Sequence, residues 1–154
     1  MDLNTVEEIK RLRARYCRAM DQKDWLTLAT LYSPDTVLDL RGETVLAGAS
    51  EPVRGADAVV AYIRESLGEG ICVHISFAPD ITLIGPHEAR GVWGLEYKVW
   101  QPAGSAIPPL HGYAYSYDDY VRIDGAWKVR AVRLKVLWSE SVALVIAPET
   151  QGLA

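Results

Sequence analysis

The sequence predicts an α+β domain in which helices come first and a curved antiparallel sheet follows. Up to Leu67 much of the chain has a helical pattern, with apolar residues recurring every three or four positions. From Ile71 onward the pattern alternates with the period of two that strands show. Near Ala131 the apolar parity changes, which predicts a β-bulge in the last strand. Such a sheet wraps the helical layer and encloses a pocket at its concave face.

Three helices are expected. The first is predicted to begin at a capping box formed by Thr5 to Glu8. Its apolar positions are Ile9, Leu12, Tyr16, Ala19 and Met20. Asp24 can cap a short second helix that continues to Tyr32, where the Ser-Pro-Asp sequence at 33–35 ends it. A third helix is predicted from Asp57 to Leu67.

The β-strands are predicted from alternation and from turn signals. They are expected at 36–40, 52–55, 71–77, 81–84, 88–101, 110–123 and 126–138. Asp124-Gly125 is a strong hairpin signal, and Gly-rich residues before Ser50 and the segment 101–109 predict loops. After the predicted bulge, the apolar parity is expected to include Val132, Leu134, Val136 and Trp138.

Composition limits the classes of function. The 154 residues are 49% hydrophobic and 23% charged with a net charge of −4, which fits one domain over 1–154 and argues against nucleic-acid binding. We expect no membrane span, because no apolar run approaches about 18 residues. With no signal-peptide pattern, and with Cys17 and Cys72 expected as buried thiols, the sequence predicts a cytoplasmic protein. A basic cluster around Arg13 is expected on a solvated or subunit-facing side of the first helix.

Two residues suggest acid–base chemistry. Asp21 lies where the first helix ends, and His74 is a lone imidazole within the apolar run 71–77. If the fold brings them together, the carboxylate fixes the tautomer of His74 and makes it a stronger base, with no cofactor needed. A carboxylate at a helix C-terminus is unfavourable by about 0.3–1 kcal/mol, so a compensating partner is expected. The alternatives are a structural histidine and a loop aspartate.

The segments 21–25, His74 and 123–128, taken in order, resemble the nuclear-transport-factor-2-like superfamily, and more narrowly its SnoaL-like and scytalone dehydratase branch. The resemblance runs from about residue 6 to Trp138. It implies a cone-shaped fold in which Asp21 orients His74 as the general base. Tyr16 stands where a bile-acid dehydratase of the superfamily has a tyrosine, which implies a hydrogen-bond donor to a substrate carbonyl. A continuous helix would place Tyr16 and Asp21 about 140° apart, so convergence requires the helix to end or turn near residue 20.

The substrate-recognition residues of scytalone dehydratase are not retained. Met20 and Leu40 stand where that branch has substrate-binding tyrosines, and Val99 lies near the position of its second histidine. Its serine and asparagine correspond to Ala114 and Ser116. The resemblance therefore implies a more apolar pocket and a substrate other than scytalone.

The strand at 110–123 supplies further substrate-binding candidates. Ser116 and Asp118 share the face that the resemblance places toward the pocket, and His111 is expected at the pocket rim or on the surface. The opposite face carries Tyr113, Tyr115 and Tyr117, which predicts sheet packing or a subunit interface. A homo-oligomer, either a trimer or a dimer, is expected.

No motif for another chemistry is found. The three histidines lack ligand spacing, no cluster of Cys, His and carboxylates is expected, and so no metal is predicted. The sequence also lacks a phosphate loop, a dinucleotide fingerprint and a nucleophile elbow, so no cofactor is predicted.

The function that follows is a cofactor-independent lyase acting on a hydrophobic, cyclic, carbonyl-bearing small molecule. His74 would remove a proton, Asp21 would orient it, and Tyr16 would support the enolate. The same pair could serve an isomerase or a polyketide-type cyclase. A non-catalytic domain that binds a small ligand is the alternative from another class.

Overall fold

The computed structural model describes residues 3–41, 51–102 and 109–141, and the predicted turn region at 42–50 and the centre of the predicted loop lie outside them. The described helices are α1 (Leu3–Asp21), α2 (Trp25–Leu31) and α3 (Ala56–Leu67). The strands are β1 (Tyr32–Asp39), β2 (Val53–Arg54), β3 (Ile71–Gly85), β4 (Glu88–Trp100), β5 (Leu110–Ile123) and β6 (Ala126–Ser141). Among the described residues, no helix combines the length and apolar character needed to cross a membrane.

The six strands form one curved sheet in the order β2-β1-β6-β5-β4-β3. All neighbouring strands are antiparallel except β1 and β6, which are parallel. Helix α1 packs against β3 at one side of the sheet, and α3 packs against β1 near the other. The α+β prediction is confirmed, with one parallel pair as a correction to a wholly antiparallel sheet.

Several element boundaries differ from those predicted. Thr5 lies inside α1 and is buried, so the predicted capping box does not begin this helix. The two strands expected at 71–77 and 81–84 form one strand, β3, with an irregularity between Phe77 and Asp80. Strand β1 begins earlier than expected and contains Pro34, which lies where its pairing with β6 is interrupted.

Local signals correctly placed the cap of α2 and the turn at 124–125. Asp24 caps α2 by accepting a hydrogen bond from the backbone N–H of Thr27 at 3.0 Å. Asp124 and Gly125 both have positive φ angles, +49° and +80°, as a tight hairpin turn requires. The predicted bulge is present, because Asp119 pairs with Ala131 and Tyr120 with Val129, which leaves Arg130 as the extra residue.

Strand β6 contains a second irregularity that the sequence analysis missed. Tyr113 pairs with Trp138 and Ala114 pairs with Val136, so Leu137 is also an extra residue. The alternation between inward and outward side chains therefore shifts again by one residue. Trp138 lies on the outer face, with its ring centroid 6.0 Å from that of Tyr113. Placing Trp138 with the inward residues was therefore wrong.

The two faces of the sheet differ sharply at β5. Ala114, Ser116 and Asp118 point into the interior and are almost completely buried. The tyrosines between them, Tyr113, Tyr115 and Tyr117, lie on the outer face and are each about 40% exposed. Exposed apolar residues of β3 and β6 extend this face, and the homo-oligomer stays a prediction.

Candidate active site

A cavity of about 120 Å³ lies between the helices and the concave face of the sheet. Helix α1 contributes Arg13, Tyr16 and Met20 to its wall, and α3 contributes residues that include Ile63 and Leu67. The sheet supplies His74 and Ser116 together with apolar residues. These are Leu38, Leu95, Val99, Leu110, Val132 and Leu134, with Leu40 just beyond β1. The cavity is thus mainly apolar, with a few polar groups among its lining residues.

Asp21 and His74 are in direct contact. The Oδ1 atom of Asp21 lies 2.6 Å from Nδ1 of His74, and Oδ2 accepts a hydrogen bond from the backbone N–H of His74 at 3.0 Å. With the carboxylate accepting from both groups, Nδ1 carries the ring proton and Nε2 retains the lone pair. This tautomer leaves Nε2 able to accept a proton.

The end of helix α1 explains this geometry. Asp21 is the last residue of the helix, after which Lys23 takes a positive φ of +57° and the backbone N–H of Asp24 returns to the carbonyl of Ala19. Asp21 therefore lies one turn beyond the core residue Cys17, opposite β3. The two donors of His74 compensate the unfavourable position of a carboxylate at a helix C-terminus.

Tyr16 also lines the cavity, although α1 stays helical through Asp21. The hydroxyl of Tyr32 donates a hydrogen bond to the Tyr16 oxygen at 3.2 Å, which leaves the proton of Tyr16 available for another acceptor. The two rings meet edge to face with centroids 5.7 Å apart. Burial, partly opposed by Arg13 and Tyr32, raises the pKa of Tyr16 to about 12, so it remains a donor at neutral pH.

Arg13 is buried, contrary to the expectation of a solvated helix side. Its Nη1 donates to Oδ2 of Asp118 at 2.9 Å, and its Nε donates to Oγ of Ser76 at 2.9 Å. The guanidinium carbon lies 5.1 Å from the centre of the Tyr16 ring. Burial opposes the charge of Arg13, but Asp118, Cys17, Tyr120 and Tyr16 together more than offset burial and raise the pKa of Arg13 above its usual value.

Asp118 is held by a complete set of donors. Besides Arg13, it accepts from the hydroxyl of Ser116 at 2.6 Å and from the hydroxyl of Tyr120 at 2.7 Å. Trp93 in turn donates its indole N–H to the Tyr120 oxygen at 2.9 Å. Such a network fixes the position of Arg13 beside Tyr16.

The predicted substrate-binding residues fall into three groups. Met20, Leu40 and Ser116 line the cavity, as expected. Asp118 points inward but is engaged by Arg13 and is not among the residues that line the cavity. His111 lies on the outer face, with Nε2 2.8 Å from Oε1 of Glu96, so its assignment to the pocket was wrong. Alternation along β5 explains this, because residues an odd number of positions from Ser116 point outward.

Arg13 is the main residue that the sequence analysis missed. It lies four positions after Ile9 and three before Tyr16, so it shares the buried face of α1. Helical spacing could therefore have placed it inside. Five basic residues within 10–18 suggested a solvated side instead, and no local signal pointed to Asp118, which is 105 residues away.

A group of possible metal ligands does form, contrary to the expectation of no Cys, His and carboxylate cluster. One ligand atom from each of Asp21, Cys72 and His74 lies within 4.8 Å of the others. Cys72 and His74 share a face of β3, while Asp21 comes from α1, so spacing along the chain could not reveal the group. Burial, with a further contribution from Asp21, raises the pKa of the Cys72 thiol to about 11, so it is neutral at physiological pH.

Comparison with known families agrees with the resemblance found in the sequence. The SnoaL-like domain family matches residues 1–133. The chain belongs to this family. A curated relative is scytalone dehydratase arp1 of Aspergillus fumigatus, which is 24% identical over 144 residues, covering 86% of this chain and 82% of the relative.

Solved structures of other proteins share the fold. A hexachlorocyclohexane dehydrochlorinase of type 2 superposes with a TM-score of 0.77 at 14% identity, covering 96% of each chain. An NTF2-like protein with a cystatin-like fold from Novosphingobium aromaticivorans superposes with a TM-score of 0.68 at 20% identity, covering 88% of this chain and 83% of that one. The SnoaL-like domain described here therefore has the nuclear-transport-factor-2-like fold.

Proposed function

We propose that this SnoaL-like protein is a cofactor-independent lyase that eliminates water or another leaving group from a small, hydrophobic, cyclic molecule with a carbonyl group. The contact of 2.6 Å between Asp21 and His74, at the wall of an apolar cavity, carries the proposal. Both named relatives support this class of reaction, since a dehydratase and a dehydrochlorinase each perform an elimination.

In the proposed reaction, Nε2 of His74 removes the proton on the carbon next to the carbonyl group. The electrons of the broken C–H bond form an enolate, whose oxygen accepts a hydrogen bond from Tyr16. The enolate then re-forms the carbonyl and expels the hydroxyl group on the next carbon. The imidazolium returns its proton to that group, which leaves as water, and His74 is restored to its starting form. Throughout, Asp21 stabilises the imidazolium.

The buried ion pair of Arg13 and Asp118 supports the enolate through the positive charge of Arg13. Arg13 lies beside the Tyr16 ring, and its positive charge favours negative charge on or near the Tyr16 oxygen. Asp118 holds Arg13 in place and reduces its net effect, so the cavity suits a substrate that is neutral before the proton is removed. The apolar lining around these groups favours a hydrophobic ring system.

His74→Ala tests the proposal. The purified chain is incubated with a panel of cyclic β-hydroxy ketones, and elimination is followed by the near-ultraviolet absorption of the conjugated product. We expect His74→Ala to lower kcat/KM by at least about 10²–10⁴-fold, because a positioned general base contributes that much. Folding should change little, since His74 is partly exposed at the cavity wall.

His111→Ala is the matched control. His111 also contacts a carboxylate, that of Glu96, but it lies on the outer face of the sheet. Its variant should retain turnover close to that of the original chain. Near-normal turnover by His74→Ala would overturn the proposal and move the protein to the class of small-ligand-binding domains.

Proton exchange and release of the leaving group together separate the alternative reactions. An isomerase or cyclase would begin with the same proton abstraction, so wherever that step is reversible, NMR in D₂O should show deuterium on the carbon next to the carbonyl of the recovered substrate. Only a lyase also releases the leaving group. Tight binding without either exchange or elimination would identify a binding domain.

A further inference from the structure

We propose that Asp21, Cys72 and His74 form a binding site for a thiophilic divalent cation, of which Zn²⁺ is the representative, and that this ion inhibits the enzyme reversibly. The binding site stands on geometry alone, whereas the inhibition rests on the proposed function of the Asp21–His74 pair. Zinc is not proposed to take part in the reaction.

The three side chains supply one oxygen, one sulfur and one nitrogen ligand, all within 4.8 Å of one another. Carboxylate, thiolate and imidazole are the protein ligands of Zn²⁺, and three of them leave one position open for water. The hard cations Mg²⁺ and Ca²⁺ prefer oxygen ligands, and only one side chain here provides them.

Binding requires only a small local movement. Ligand atoms around a tetrahedral zinc ion are separated by roughly 3.3–3.6 Å, given Zn–N and Zn–O distances near 2.1 Å and a Zn–S distance near 2.3 Å. The present separation of 2.6 Å between Asp21 and His74 would have to widen by less than about 1 Å. Ligand atoms that now lie up to 4.8 Å apart would have to approach by about 1 Å. A rotation of the Asp21 side chain, which is 23% exposed, contributes to these movements.

An open groove between α1 and β3 reaches two of the three ligands, whereas Cys72 is buried and is not among the residues that line the groove. Asp21 and His74 both line this groove, and so do the basic residues Lys10 and Arg18. Lys23 also acts on Cys72 electrostatically. These positive charges lower the affinity for every divalent cation alike. The selectivity for thiophilic ions over Mg²⁺ therefore rests on the thiolate.

Zinc binding should release a proton. The S–H group of Cys72 donates to the carbonyl oxygen of Met20, with the sulfur 3.6 Å from that oxygen, and a thiol must lose its proton to bind zinc. On binding, the S–H bond breaks, the sulfur keeps the electron pair for its bond to zinc, and the proton goes to solvent. The Nδ1–H bond of His74 also breaks and its electron pair binds zinc, while Nε2 takes up a proton from solvent, so the imidazole stays neutral. We expect about one proton released per ion, and binding that tightens as the pH rises.

Occupation of the site would block catalysis. An ion bound between Asp21 and His74 replaces the hydrogen bond that orients the imidazole and stabilises its cation. The base is then lost until a chelator removes the ion.

A cobalt titration of the full chain tests the site. Co²⁺ bound by a thiolate gives a sulfur-to-cobalt charge-transfer band in the near ultraviolet, and added Zn²⁺ should remove it by displacement. We expect the band in the original chain and in Cys17→Ser, the control in which the other buried cysteine is changed. Cys72→Ser should lose the band and bind Co²⁺ more than about 100-fold more weakly.

The two halves of the proposal can fail separately. Absence of the band in the original chain, or its persistence in a folded Cys72→Ser variant, would overturn the site. If the band appears but Zn²⁺ inhibits Cys72→Ser as strongly as the original chain, the inhibition is overturned. Should the chain show no turnover at all, the proposed function and the inhibition fail, and the cobalt titration still decides the site.

Discussion

Two pairs of polar side chains join helix α1 to the sheet, and they differ mainly in how much water reaches them. Asp21 and His74 have side chains that are 23% and 13% exposed, whereas those of Arg13 and Asp118 are 4% and 1% exposed. A pair in contact with water can gain and lose protons during a reaction. A sealed pair keeps its charges fixed, so it can support neighbouring groups but cannot exchange protons with solvent.

The largest expected effect comes from breaking the sealed pair. Arg13→Met leaves Asp118 buried without its cation and should lower the free energy of unfolding by about 3–5 kcal/mol. Arg13→Met combined with Asp118→Leu removes both charges and should recover much of that stability. Urea unfolding followed by circular dichroism measures both.

Arg133→Met is the control for this comparison. Arg133 contacts Asp119 at 3.0 Å but is half exposed, so its loss should change the stability by less than about 1 kcal/mol. Equal losses for Arg13→Met and Arg133→Met would show that burial does not distinguish the two ion pairs.

Rising pH should destabilise the protein first at Cys72, beside Asp21 and His74, and then at Tyr16, beside Arg13. The pKa values of both side chains are raised in the folded state, so the folded protein holds their protons more tightly than the unfolded chain does. The stability that this difference contributes is lost as the pH rises. For Cys72, whose pKa rises from 9.0 to about 11, the loss falls between those pH values and amounts to roughly 2–3 kcal/mol. For Tyr16 the loss falls between pH 10 and about 12.

Denaturant unfolding between pH 8 and about pH 12 measures this loss. Cys72→Ser should flatten the first part of the decline and leave the part due to Tyr16. An unchanged profile in Cys72→Ser would contradict the assignment of the decline to this thiol.

Asp21→Asn should act on the rate more than on stability. The amide oxygen can still accept from Nδ1–H, but the NH₂ group cannot accept from the backbone N–H of His74, so a small loss of stability is also expected. The charge that stabilises the imidazolium is lost, so kcat/KM should fall by at least about tenfold. Asp24→Asn is the matched control, since it removes the same charge three residues later, and asparagine is an equally good helix N-cap. A similar loss of rate in both variants would point to net charge rather than to the dyad.

Tyr16→Phe should have the smallest effect of the catalytic variants. It removes the hydroxyl that would donate to the enolate and leaves Tyr32 without its acceptor, so kcat should fall by less than in Asp21→Asn while KM changes little. Tyr115→Phe, on the outer face, should leave both constants unchanged. A Tyr16→Phe variant with unaltered kcat would assign this residue to core packing.

The sequence alone predicted the features that depend on neighbouring residues. The third helix, the cap at Asp24, the hairpin at 124–125 and the bulge near Ala131 each follow from spacing or backbone preference within a few positions. The contact between Asp21 and His74 could also be expected, because the family resemblance supplied a long-range relation that local patterns lack. The contact also agrees with the expectation that the Asp21 carboxylate, at the C-terminal end of α1, needs a hydrogen-bonding partner.

Only the tertiary structure decided which polar residues are buried and what they contact. The sequence predicted Arg13 to be part of a solvated cluster, but in the fold it pairs with Asp118 of β5. Cys72 lies in a group of possible metal ligands only because the fold places Asp21 of α1 beside β3. Trp138 points outward because of a β-sheet irregularity that no turn residue in the sequence marks. The parallel pairing of β1 with β6 likewise joins segments about 95 residues apart. The free energy of a buried charge depends on partners that are distant in sequence, and the residue itself carries no local record of them.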